Sequence, residues 1–362
     1  MRRVYADYNA TTPLNPAVLE AMLPYLGQKF GNASSIHIFG RDARAAIDDA
    51  RVRIAKLLGA QEGEIIFTGS GTEADNNAIF GIRPGHIITS SIEHHAVLHA
   101  CQQRPDVTYL PVSGDCLVDP ADLRKAIRKD TVLVSIMWAN NETGTIQPIS
   151  ELAAVCREHG IPFHTDAVQA FGKLPVTVAD VDLLTLSAHK FYGPKGVGVL
   201  YVRRGMKLTP LLYGGSHESD RRAGTENVAG IVGLAKAAEL PAVDFVELTE
   251  KLAAGIVEAI PGAHRNGHPR QRVSNTVNFS FDGCRFEGLL LGLDLEGVAV
   301  SSGSACAVGS LEPSHVLLAM GVSRERARAA VRFSFGAGTT LADVDYILSV
   351  LPRVIHRLRT LS

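Results

Sequence analysis

The chain has 362 residues, 46% of them hydrophobic and 20% charged, with a formal net charge of −1. That length and apolar content suffice for two domains or one large domain with an appendage, and the near-neutral balance gives no overall field favouring nucleic acid or an anionic membrane. The opening "MRRVYADYNATTP" has no apolar run behind its arginines, and no apolar stretch is long enough to span a bilayer, so neither a secretory signal nor a membrane helix is expected. From about residue 64 to 201, the runs "EIIF", "HIITSS", "VTYLPV", "TVLVSIMWA", "IPFHTDA", "VDLLTLSA" and "GVGVLYV" read as strands. The segments "TEADNNAIFGI", "EHHAVLHACQQ", "DPADLRKAIRK" and "ISELAAVCREHG" read as helices between several of them. Such alternation implies an α/β fold with a mainly parallel sheet covered on both faces. The last two strand runs lack an intervening helix, which predicts an antiparallel member near 197–202. After about residue 240 a helix near 243–260, the strand-like "SNTVNFSF", a helix around Phe286–Leu295, "GVAVSS", "AAVRFSF" and a closing helix describe a smaller α+β domain. No repeat or long linker separates the two parts, so they are expected to pack together.

The five cysteines are Cys101, Cys116, Cys156, Cys284 and Cys306. Their number is odd and their spacings suit neither a zinc site nor a redox pair, a pattern expected of a reducing cytoplasm with at least one free thiol. In "SSIEHHAVLHAC", His95 and His99 share a helix face, but the pattern is not H-E-x-x-H and no carboxylate is spaced to complete a zinc site. These two read as surface histidines and no metal is expected. His94, at the helix start, is placed to lie flat over an aromatic cofactor ring.

"IIFTGSGTEADN" ends a strand in a Gly-rich turn and opens a helix near Ser70–Thr72. Ser70 and Glu73 have capping-box spacing, and the free N–H groups around Gly71 and Thr72 suit either an ordinary cap or a phosphate. In "FHTDAVQAFG", Asp166 ends an apolar strand, where open α/β sheets gather ligands. A carboxylate there needs a positive partner: a protonated cofactor ring nitrogen, an arginine or a helix N-terminus. In "LLTLSAHKFYGPKG", Lys190 is either a surface lysine or a partly dried amine able to form a Schiff base. Asp166, Ser187, His189 and Lys190 together favour a pyridoxal phosphate site. "WANNETGTIQP" offers Asn140, Asn141 and Glu142 as a turn or as groups facing a cofactor. Thr225 in "RAGTEN" is a cap or a second phosphate ligand. Arg332, in the strand-like "VRFSFG", wants an anion such as a substrate carboxylate. Finally, "SSGSACAVG" sets Cys306 among small residues that bury little, unlike a structural cysteine.

Taken in order, "YADYNATTP", "GNASSIH", "FTGSGTEADN", "EHHAV", "WANNETGTIQP", "HTDAVQA", "SAHKFYGPKGVGVLY", "RAGTEN", "SSGSAC" and "RFSFG" resemble the pyridoxal-phosphate-dependent cysteine desulfurases of the NifS/IscS group over nearly the whole chain. The resemblance implies an aminotransferase-like fold of type I, with a mainly parallel seven-stranded sheet in a large domain at 13–245. It implies a small domain from 1–12 and 246–362, carrying a mobile cysteine loop at about 302–314. It further implies a cytoplasmic homodimer that converts L-cysteine to L-alanine and leaves sulfur on Cys306 as a persulfide. Lys190 would hold the cofactor, Asp166 would pair with its ring nitrogen, Gln169 would reach the ring hydroxyl and His94 would stack on the ring. Gly71, Thr72, Ser187 and His189 would surround the phosphate, with Thr225 arriving from the other subunit. Asn141 and Arg332 would bind the substrate carboxylate, Lys190 would shuttle a proton, and His94 or a neighbouring base would help Cys306 form its thiolate.

"SSGSAC" followed by "SLEPSHVLLAMG" resembles the long-loop branch of the group, which favours cysteine over selenocysteine as substrate. Selenocysteine lyase, or another pyridoxal phosphate enzyme of the same fold, is the alternative. The sequence departs from the family at Ala33, Ser216, His217, Ala307 and Val308, and its ending "VIHRLRTLS" is shorter than the tail with which housekeeping members dock a scaffold protein. The resemblance implies an iron–sulfur scaffold or a sulfur carrier as the acceptor, the short ending speaking against the scaffold, and no direct nucleic-acid or membrane partner is expected.

Overall fold

The structure, a computed structural model, describes residues 2–302 and 312–361. Cys306, Ala307 and Val308 lie outside the described residues.

In chain order the strands are β1 (Val4–Tyr5), β2 (Ile65–Thr68), β3 (His86–Ser90), β4 (Val107–Leu110), β5 (Thr131–Ser135) and β6 (Phe163–Asp166). They continue with β7 (Leu183–Ser187), β8 (Gly198–Val202), β9 (Ala263–Asn266), β10 (Thr276–Phe281), β11 (Val298–Ala299) and β12 (Ala330–Ser334). A seven-stranded sheet has the order β2-β8-β7-β6-β5-β3-β4. Its members from β4 to β7 are parallel, whereas β8 runs antiparallel to both β7 and β2, as the missing helix before it predicts. β3, β5, β7 and β8 are buried along their whole length, which explains their near-continuous apolar runs. Two buried histidines of the sheet find partners inside it: His86 bonds Thr131 and Thr108, and His164, on β6, bonds Ser135 and Thr185.

Two helices that the sequence reading does not single out, Pro16–Leu26 and Ile38–Leu58, pack against the helix Val228–Ala238. The buried stripe of the second is Ala43, Ile47, Ala50, Ile54 and Leu58, at helical spacing but built partly of alanine. Its His37 cap accepts the Gly40 N–H through Nδ1.

A second, antiparallel sheet has the order β12-β10-β9, and β1 pairs in parallel with β11. The N-terminal Val4 and Ala6 thereby join one core with Val277, Phe279, Phe333 and Leu351. The C-terminal ends of β5, β6 and β7 deliver Met137–Asn141, Asp166 and Ser187–Lys190 to one edge of the large sheet. Asn9, just past β1, and Arg332 on β12 close that edge from the side of the second sheet.

Candidate active site

A cavity of about 880 Å³, counted to its open mouth, is lined by Gly71, Thr72, His94, Asn141, Asp166, Gln169, Ser187, His189, Lys190 and Arg332. The structure thus brings together most of the residues singled out from the sequence. Thr225 is not among them: it lines a neighbouring pocket with Gly69 and Arg222.

At the floor, the helix Gly71–Gly81 points its N-terminus into the cavity. Ser70 Oγ accepts the Glu73 N–H at 3.1 Å, as the cap predicts. The reciprocal half differs, because Glu73 accepts from the Gly69 N–H and from the Arg222 guanidinium. A Cβ on Gly71 would come within 3.1 Å of Val168 Cγ2 and 3.2 Å of Ser187 Cβ. Glycine alone keeps that approach open beside the helix start.

Asp166 is buried, and its Oδ1 accepts the Val168 N–H at 2.9 Å. Burial raises its pKa to about 6, against the lowering pull of that bond and of Lys190. Lys190 Nζ donates to the carbonyls of Asn9 and Ala10 at 2.7 and 2.8 Å. His94 is pushed down to about 4, by burial first and then by Lys190, His95, His315 and His99. Its Nδ1 accepts the Ala96 N–H, so the neutral ring carries its proton on Nε2. Such a ring donates to an anion at Nε2 rather than taking a proton there, a constraint on the expected role as a base. His189 is likewise lowered to about 4 by burial and the nearby lysines, and its Nδ1 meets Thr11 Oγ1.

The "NNETG" residues divide the two roles open to them. Asn140 Oδ1 accepts from the Glu142 and Thr143 N–H groups and so builds the turn, whereas Asn141 lines the cavity. Arg332 is 1% exposed. Its Nη1 donates to the Asn141 carbonyl at 2.8 Å and its Nη2 to Asp7 Oδ1 at 2.7 Å. Its Nε has no hydrogen-bond partner among the described residues. A buried guanidinium with an unspent donor fits an incoming carboxylate. Arg332→Lys keeps the charge but loses the fork. It is expected to raise KM for the amino-acid substrate about ten- to a hundredfold while kcat falls less and the bound cofactor keeps its absorption, read by steady-state kinetics and spectroscopy.

Some site residues were not legible. Asn9 is buried and its carbonyl receives both Lys190 and Gln169. Asp75, buried on the helix at the cavity floor, has an Oδ1 with no hydrogen-bond partner among the described residues, 3.7 Å from His164 Nε2. Burial and the neighbouring Asp166 raise its pKa well above that of an ordinary aspartate. His99 is exposed, as expected of a surface histidine, whereas His95 is half-buried, its ring 4.9 Å from those of His99 and His315.

A buried carboxylate asking for a cation, a lysine amine facing it across one cavity and an open helix N-terminus suit a protonated pyridine ring that bears an aldehyde and a phosphate. The residues present fit pyridoxal phosphate, and the fold and site define an enzyme dependent on it. The family model for class-V aminotransferases matches residues 4–347. The chain is 53% identical over 380 residues to a cysteine desulfurase IscS of Dictyoglomus turgidum, covering 100% of this chain and 96% of the relative. It is 51% identical to one from Methanosarcina thermophila, covering 100% and 94%. Among solved structures, a NifS-like protein superposes with a TM-score of 0.91 at 38% identity, covering 98% of this chain and 100% of that one. SspA in complex with cysteine superposes with a TM-score of 0.83 at 40% identity, covering 91% and 98%. The chain belongs to the class-V aminotransferase family and, within it, to the cysteine desulfurases.

Proposed function

We propose that this pyridoxal-phosphate-dependent cysteine desulfurase converts L-cysteine to L-alanine and hands the sulfur, as a persulfide on Cys306, to an acceptor protein for iron–sulfur cluster assembly or other thiolation. The observation that carries this reading is the single cavity holding Lys190, Asp166, His94 and Arg332. Lys190 would bear the cofactor, Asp166 would meet its ring nitrogen and Gln169 its ring oxygen. The helix start at Gly71 and Thr72, with Ser187 and His189, would hold its phosphate. Bound pyridoxal phosphate supplies an electron-withdrawing ring that stabilises negative charge at the substrate α-carbon.

The chain's own residues do the rest. Asn141 and Arg332 hold the substrate carboxylate and so orient the α-carbon. Lys190 takes the proton from that carbon and returns a proton to the product. The Nε2–H of His94 stabilises a substrate thiolate. The thiolate of Cys306 then forms an S–S bond to the substrate sulfur as the Cβ–S bond breaks, and Cβ gains a proton. The balance is one Cys306 thiol and one cysteine giving one persulfide and one alanine, with no external oxidant or reductant.

We read residues 13–245 as the large domain and 1–12 with 246–362 as the small one; the separate core around Val4, Phe279 and Phe333 supports the division. A homodimer is supported by large exposed apolar side chains, Phe30, Ile36 and Tyr213. Thr225 would then enter the partner's phosphate site. No described helix is long and apolar enough to cross a membrane, and the cytoplasm is the proposed location.

The test is to add L-cysteine to the purified yellow protein and measure alanine together with the mass of the Cys306 peptide. Before any acceptor is added, alanine and persulfide are expected to appear in equal amounts. Alanine with no added sulfur on Cys306 would refute the nucleophile. Faster turnover of selenocysteine than of cysteine would refute the substrate.

A further inference from the structure

Lys173 follows the "DAVQAFG" segment, and none of the roles above uses it. Its Nζ donates to Gln169 Oε1 at 2.6 Å and to Asn9 Oδ1 at 2.8 Å. Gln169 Nε2 in turn donates to the Asn9 carbonyl at 2.9 Å. Asn9 is itself pinned: its Oδ1 also accepts from Asn275, and its Nδ2 donates to the Asn141 carbonyl and Thr276 Oγ1. Lys173 therefore grips Gln169 from a rigid anchor. Gln169 lines the cofactor cavity, whereas Lys173 lines a second cavity with Tyr8 and Tyr192, and Lys190 lines both.

The ends of an amide differ in function: the oxygen accepts and the nitrogen has two N–H groups to give. Turning Gln169 around would put its oxygen against the Asn9 carbonyl and its N–H groups against the Lys173 amine. Lys173 has an N–H for each of its two oxygen partners whether or not it is protonated. In the orientation they enforce, the Gln169 oxygen faces Lys173 and one N–H of Nε2 is left for the cavity.

We propose that Lys173 is a positioning residue that holds Gln169 with its amide nitrogen toward the ring oxygen of the bound cofactor. The inference rests on the reading that Gln169 meets that oxygen. A donor stabilises an anionic ring oxygen, and an amide oxygen in its place repels it. Loss of Lys173 therefore raises the pH at which the bound cofactor gives up its proton and its visible absorption changes. Burial, and then Lys190 and Arg332, already lower the Lys173 amine well below the ordinary lysine value. Asp7 faces Arg332, and Asp75, Asp166, His94 and His189 line the cofactor cavity from the helices, turn and strand end around it. Because all of these stay in place in every variant compared, differences in midpoint report on the Lys173–Gln169 contact.

The experiment titrates the visible absorption of each holoenzyme against pH and measures cofactor affinity alongside. Lys173→Met is expected to bind the cofactor and to move the midpoint upward by about one pH unit. Lys173→Arg, a donor-only side chain, keeps it near the wild-type value. Gln169→Leu moves it the same way, and the double variant moves it no further than Gln169→Leu alone. An unmoved midpoint in Lys173→Met beside a moved one in Gln169→Leu overturns the proposal and leaves the Gln169 reading intact. An additive double variant overturns it too, and an unmoved Gln169→Leu overturns both. If Lys173→Met does not fold, Lys173→Gln is read by the same criteria.

Discussion

Replacing Lys190 by alanine slows alanine formation from L-cysteine by at least about 10⁴-fold and leaves a protein that no borohydride treatment labels with cofactor. Two losses combine. On the proposed roles, the amine that would bear the cofactor is gone, and so is the base that would move the α-proton, a contribution of roughly 10²–10⁴ on its own. The substitution frees the carbonyls of Asn9 and Ala10, which line a solvent-accessible cavity where water can replace the amine, so folding is expected to survive. A second lysine stands close by, which makes the labelling decisive. Lys173 is occupied by Gln169 and the Asn9 side chain and is not among the residues lining the cofactor cavity. Mass analysis of the reduced wild-type protein should place the adduct on Lys190. An adduct persisting in Lys190→Ala, found on Lys173, would transfer the role and reverse the reading of both lysines.

Asp166, Ser187 and Lys190 were legible in the sequence because an apolar strand fixes where its own last residue lies, and parallel strands end on one edge. The same logic placed the antiparallel β8. Asn9 was harder for a physical reason: it acts through its backbone carbonyl, which every residue has, and its amide side chain ties together segments far apart in sequence. Lys173 looked like any lysine after a Gly turn, since only the fold puts the Asn9 side chain next to it. His99 is at the surface as read, whereas His95 is half-buried because the His315 ring lies against it, which nothing near it in sequence announces. The helix Ile38–Leu58 was overlooked because its buried stripe, Ala43, Ile47, Ala50 and Ile54, is half alanine and set among arginines and aspartates. Thr225 marks another boundary of a single-chain reading: the resemblance assigns it to a partner's site, and within one chain it lines a different pocket.

Replacing Cys306 by serine is expected to abolish persulfide formation and to cut alanine production to below about one hundredth of wild type, while the cofactor stays bound and its spectrum still responds to L-cysteine. A hydroxyl is scarcely ionised near neutral pH and is a poor nucleophile toward sulfur, so substrate binding and proton removal continue while the Cβ–S bond lacks its attacker. The remaining cysteines offer no substitute. Cys101, Cys116, Cys156 and Cys284 are all buried. Burial pushes the thiols of Cys101, Cys116 and Cys156 up to about 12, and that of Cys284 upward as well. A thiol so raised holds its proton at neutral pH and presents no thiolate. The residues flanking the cysteine segment are tied to the substrate site. The Ser301 backbone pairs with that of Arg332, and Ser314 donates to Glu142, next to Asn141. A Cys306→Ser enzyme that still made alanine at the wild-type rate from cysteine would mean that sulfur departs without a protein nucleophile. One that lost cysteine turnover but kept selenocysteine turnover would mean that Cys306 is needed to extract sulfur but not the better-leaving selenium.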